Sequence, residues 1–182
     1  GAASPGPVNI IATSSSVNFG FKRTLPHVLG ASASYGLIVF LVGIGLNQVL
    51  LDVPMFSQWL KYVGALFLLY MAYKIATSKA SSDASGAVTT APSFLQGALT
   101  QGLNPKAWLV SMSGVAVFVT PNTPAFTYLI IFTVLSFVVC FLGVSIWAVA
   151  GHMMGSLISQ YQIMFNRIMG LLLGLAVVSM FI

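Results

Sequence analysis

The stretch SFLQGALTQGLNPKAWLVSMSGVAVFV, residues 93–119, is largely apolar and carries a single charge, Lys106. It exceeds the ~20 residues that cross a bilayer, yet Asn104-Pro105 interrupts it. A proline inside a helix removes an N–H and clashes with the preceding turn, whereas at the first helical position it is favoured. Asn immediately before it is a preferred N-cap. The pair therefore reads as the end of one helix and the start of another. The segment from Ser93 to Asn104 rises roughly 18 Å as helix, against a hydrocarbon core about 30 Å thick. The second helix is expected to start near the midplane.

The beginning of the chain repeats this pattern. Pro5-Gly6-Pro7 opens a short apolar stretch, Val8 to Phe19. Pro7 and Pro105 are 98 residues apart, as are Pro26 and Pro124, Gly6 and Asn104, and Gly45 and Gly143. Paired, interrupted hydrophobic segments in the two halves of a chain point to the binding site of a secondary transporter.

Composition places the chain in lipid. The hydrophobic fraction is 58%, the charged fraction 5% and the mean hydropathy +0.98, where a soluble domain carries about 25% charged residues. Seven Lys/Arg against two acids are too few for a nucleic-acid surface and read as topogenic charge. Cys140 is alone, which excludes an internal disulfide and argues against a thiol relay. The chain starts with Gly1 rather than Met. The first span is expected to be truncated, with residues missing upstream, and the segment lacks the parts of a signal peptide.

The expected fold is an all-α integral membrane protein of six transmembrane helices. Span 1 is what remains around Val8 to Phe19, span 2 runs from about Pro26 to Leu51, and span 3 from about Phe56 to Ala76. A polar linker, Thr77 to Pro92, follows. Span 4 is the broken segment, and Thr120 to Pro124 is a turn. Span 5 runs from about Ala125 to His152 and span 6 from about Ile163 to Ile182, after a polar Ser156 to Tyr161 stretch. Residues 1–76 and 93–182 then form two three-helix repeats joined by a cytoplasmic linker, 77–92. Lys22, Arg23, Lys74, Lys79 and Arg167 fall on one side and Asp52 on the other, so the positive side is cytoplasmic. Lys61 dissents and can snorkel. With three spans per half the second repeat is inverted. Lys61 and Gly64 recur as Arg167 and Gly170 at an offset of 106, which implies an insertion between spans 5 and 6.

Both breaks point the positive end of a half-helix at the midplane, where a carboxylate fits. Lys106 opposes the dipole of its own helix and is costly at that depth, so an anionic partner is expected. Asp52 and Asp83 are both in loops, which leaves the substrate or a helix C-terminus. The expected substrate-binding set is Gly6, Pro7, Asn9, Gln101, Asn104, Pro105 and Lys106, with helix breaks at Pro5, Gly6, Pro7, Asn104 and Pro105. Asn9 and Gln101 could bind substrate or cap exposed backbone. His27 and His152 sit at span ends as solvated interfacial residues. With Lys106 they are the candidates for ion coupling, since histidine titrates near neutrality. Tyr62, Tyr70, Tyr73, Trp59 and Trp147 read mainly as interface or packing aromatics, with Tyr70 and Tyr73 able to line a pathway.

These residues resemble the LysE/RhtB family of amino-acid exporters. The resemblance lies in Pro5, Gly6, Pro7, Asn9, Gly20 and Arg23, and in the Lys61–Gly64 stretch with Tyr70 and Lys74. It continues in the Asn104–Trp108 run and in Phe165, Asn166, Arg167 and Met169. It implies a bacterial inner-membrane exporter of amino acids or close derivatives, driven by the proton motive force. Trp147, Ala148, Ala150, Gly151 and His152 are similar to the branch that exports cysteine and O-acetylserine, although related strings occur in other branches. With its first span truncated, the chain is expected to depart from the family pattern in the first half-helix.

The expected function is therefore export of small neutral amino acids or derivatives by alternating access. Threonine/homoserine, leucine and cysteine/O-acetylserine are the examples. No enzymatic activity, cofactor, metal site or nucleic-acid partner is expected, and a homo-oligomer is open. Two rivals are weaker. An intramembrane serine protease would need a Gly-x-Ser-Gly motif, and Ser111, Met112, Ser113, Gly114 lacks the first Gly, although His152 could serve as a base. A metal-ion exporter would need carboxylates or Cys/His clusters, and the spans hold no acid and one Cys.

Overall fold

The computed structural model describes residues 6–46, 54–77, 90–178 and 181, and these contain seven α-helices and no strand. The helices are α1 Pro7–Phe19, α2 Phe21–Leu41, α3 Pro54–Ala76, α4 Phe94–Gly102, α5 Pro105–Phe118, α6 Ala125–Ile158 and α7 Gln162–Val178. A π-helical turn, Val42–Leu46, extends α2, and a 3-10 turn, Ser159–Tyr161, joins α6 to α7. Pro5, Asp52, Lys79, Asp83 and the Lys61 side chain lie outside the description.

α1 is the centre of the molecule. Its residues from Pro7 to Ser16 are all buried, and it contributes to two of three core clusters. Ile10 and Ile11 pack with Leu68 and Met71 of α3 and Leu173 of α7. Val8 and Ala12 pack with Val28 and Ala31 of α2 and Val144 and Ala148 of α6. The third cluster joins Ile38 and Val39 of α2 to Val115 of α5 and Leu129 of α6. α2 runs along α4, both α1 and α2 run along α6, and α3 runs along α7. The outer faces carry large exposed apolar side chains such as Leu66, Ile146 and Leu171, as lipid-facing surfaces do.

The α1–α2 junction depends on Gly20. Its φ of 82° and ψ of 163° favour glycine, and its N–H closes α1 by bonding Ser16 O at 2.9 Å. The expected start of span 2 at Pro26 is corrected by this cap. The helix begins at Phe21 and Pro26 lies inside it. As the sixth residue, Pro26 forfeits only the bond to Lys22 O. The expected end of span 5 at His152 is also short. α6 continues to Ile158, since no proline or capping sequence stops it.

Candidate functional site

The Asn104 break is built from its own sequence. Pro105 has no N–H, so carbonyls at the end of α4 lose their helical partners. Asn104 N–H donates to Gln101 O at 3.1 Å. The Trp108 indole Nε1–H folds back to Gly102 O at 2.8 Å. Asn104 Oδ1 accepts from Lys106 N–H at 3.2 Å and caps α5. The α5 terminus is therefore partly satisfied by its own cap, whereas the Gly6 N-cap of α1 has no side chain to do the same. Trp108→Phe should leave the Gly102 carbonyl without its donor, at a cost of about 1–3 kcal/mol. A lowered melting temperature in detergent is expected, and an unchanged one would show that the indole is dispensable.

One cavity of about 600 Å³ joins the two helix starts. Gly6, Pro7 and Asn9 of α1 line it beside Gln101, Asn104 and Lys106. Six of the seven expected binding residues thus share one space, and Pro105 stands behind as the first residue of α5. Asn9, Gln101 and Asn104 are buried, and Lys106 is exposed to the cavity. The rest of the wall comes from α2, α5 and α6, with Tyr35, Ser136 and Cys140 adding polar groups. Gln101 Nε2 lies 3.9 Å from Cys140 Sγ.

His27 does not take the solvated interfacial position expected of it. Its side chain is fully buried, with Nε2 3.3 Å from Val8 O. Because α2 starts at Phe21, His27 lies well inside the helix rather than at its end. His152 is exposed and lies beside Gly20, at the far end of α1 from the cavity. Tyr70 and Tyr73 are exposed and do not line the cavity. Ser111 and Ser113 hydroxyls donate to Ala107 O and Leu109 O of their own helix, at 2.7 and 3.0 Å, so neither is poised on a histidine.

A polar cluster that sequence reasoning missed lies further along α1. Thr13, Ser14, Ser15 and Ser16 are all buried. Ser15 and Thr24 hydroxyls lie 2.9 Å apart. Asn18 and Asn166, 148 residues apart, exchange amide hydrogen bonds of 2.8 and 3.1 Å, and Gln162 Nε2 donates to Asn18 Oδ1 at 2.8 Å. A second cavity, about 40 Å³, adjoins this cluster and is lined by Ser14, Ser15, Asn18, Lys74 and Thr90. Four consecutive hydroxyl residues were the visible signal.

The chain matches the LysE type translocator family over residues 1–181. It is 32% identical over 181 residues to proteins named cysteine/O-acetylserine efflux protein from Escherichia coli (strain K12), Escherichia coli O157:H7 and Shigella flexneri serotype 5b (strain 8401). The match covers 99% of this chain and 91% of each relative. No solved structure matches it.

Proposed function

The chain belongs to the LysE type translocator family, and from that premise we propose that it exports neutral amino acids or close derivatives across the bacterial inner membrane by alternating access. The observation that carries this reading is the shared cavity, where two helix starts 98 residues apart in sequence meet beside Lys106. A substrate carboxylate is held between the positive end of α1, whose Gly6 N-cap has no side chain, and the Lys106 ammonium. The amino group faces the side-chain oxygens of Asn9 and Gln101. No acid lies among the described residues that line the cavity, and none of these favours a cationic side chain.

Several features support a six-span inverted repeat. α2 and α6 are long and apolar enough to cross a membrane. α4 and α5, with 9 and 14 residues, together rise roughly 35 Å and form one broken span. α6, with 34 residues, rises roughly 51 Å and must tilt or project beyond the core. One packing pair fits a two-fold axis. α3 lies on α7, a pair that such an axis maps onto itself.

The two cavities support a conformation open to the outside. The large one extends to Phe118, Asn122 and Tyr128, beside the α5–α6 turn. The small one lies at the end that holds Lys74 and the N-terminus of α7, the positive and therefore cytoplasmic side. The Asn18–Asn166–Gln162 amides close that side. Asn166→Ala should loosen the closure. On a Cys140→Ser background, Ser14→Cys is expected to react faster with an impermeant thiol reagent from the cytoplasmic side once Asn166 is replaced. Equal rates would remove the amides from the gate.

The function itself is tested with purified protein in proteoliposomes loaded with labelled O-acetylserine, cysteine, threonine or leucine. Release above that of empty-membrane controls is expected for at least one. Release of none of them would overturn the reading.

A further inference from the structure

The large cavity changes character along its length. On α6 its lining residues Tyr128, Phe132, Ser136 and Cys140 recur every four positions, which is one helix face. On α5, Lys106, Val110 and Phe118 line the opposite wall. From Lys106 to Phe118 the wall rises roughly 18 Å. The polar groups Asn9, Gln101, Asn104 and Lys106 gather at one end. Beyond Val110 the described lining carries no charge; Phe118, Ile131, Phe132 and Leu135 form most of it, with Asn122 and Tyr128 at its outer end. Phe118 and Phe132 meet across it with ring centroids 5.7 Å apart. Ile131 and Leu135, 50% and 55% exposed, line this arm on α6.

We propose that this arm is the side-chain subsite of the exporter, and that its preferred ligands are neutral amino acids with large apolar side chains. The inference rests on reading the cavity as the export site. A ligand whose carboxylate lies by Lys106 directs its side chain between α5 and α6. A one-carbon side chain leaves the arm to water, whereas each methylene buried there raises affinity roughly fourfold. The volume, about 600 Å³, is in the range of roughly 300–1,000 Å³ that holds ligands far larger than a small amino acid. Continuity of the arm with the polar end assigns it to the substrate rather than to a lipid chain.

The experiment is counterflow of labelled leucine in proteoliposomes, with alanine, 2-aminobutyrate, norvaline and norleucine as competitors. Inhibition is expected to strengthen with each methylene, by as much as fourfold per step. A flat or declining series overturns the inference. Leu135→Trp, which fills the arm, is expected to reduce the preference for norleucine over alanine at least tenfold. An unchanged preference in that variant overturns it too, and leaves the arm to lipid or to a second copy of the chain. Counterflow of leucine absent from the unmodified protein, with release of a small amino acid retained, overturns the subsite alone. Transport of no amino acid overturns the exporter reading beneath it.

Discussion

Export by Lys106→Gln protein is expected to fall roughly 10- to 100-fold while the protein still folds. A hydrogen bond to a charged group contributes about 1.5–3 kcal/mol, and each ~1.4 kcal/mol is tenfold. Among the described lining residues Lys106 carries the one formal charge, and its side chain is exposed. Its backbone N–H joins the Asn104 cap, and glutamine keeps that N–H. Lys106→Arg keeps the charge but presents a planar fork in place of a compact ammonium, and intermediate export is expected. The measurement is release from proteoliposomes at matched protein content, with melting temperature as the check on folding. Export of Lys106→Gln at the unmodified rate would remove the charge from the mechanism.

The two helix starts were legible because proline leaves a local mark. Pro7 and Pro105 have no N–H, and Gly6 and Asn104 before them are caps, so each boundary follows from two adjacent residues. The use of Trp108 was not legible. No periodicity signals that an indole will fold back on Gly102 O. The Asn18–Asn166 pair spans 148 residues, and nothing local links them. α6 is apolar on every side, so its cavity-lining stripe has no polar face to stand against. His27 was misplaced for a different reason. Pro26 reads locally as a helix start, but the Gly20 cap begins α2 at Phe21. The position of a histidine within a span is only as good as the boundary assigned to that span.

Gly97→Val is expected to cost at least about 3 kcal/mol, the upper end for overpacking, and to lower the melting temperature by roughly 6–12 °C. α2 and α4 cross with their backbones in contact. A Cβ on Gly97 meets His27 O and one on Gly30 meets Phe94 O. Both obstacles are main-chain carbonyls inside helices, which cannot rotate aside as a flexible side chain can. The two helices must separate, and the movement reaches the site. α4 carries Gln101 and leads directly into Asn104, so its displacement draws the polar end of the cavity away from α1. Export should fall together with stability. Gly174→Ala is the control, because a Cβ there meets nothing within 4 Å. It is expected to be neutral or to stabilise α7 by about 0.5–1 kcal/mol. Thermal unfolding of the three proteins in one detergent separates a general intolerance of added carbon from a specific crossing. If Gly97→Val melts with the unmodified chain, α2 and α4 do not touch there, and the shared wall of the cavity is not held in the way their contact implies.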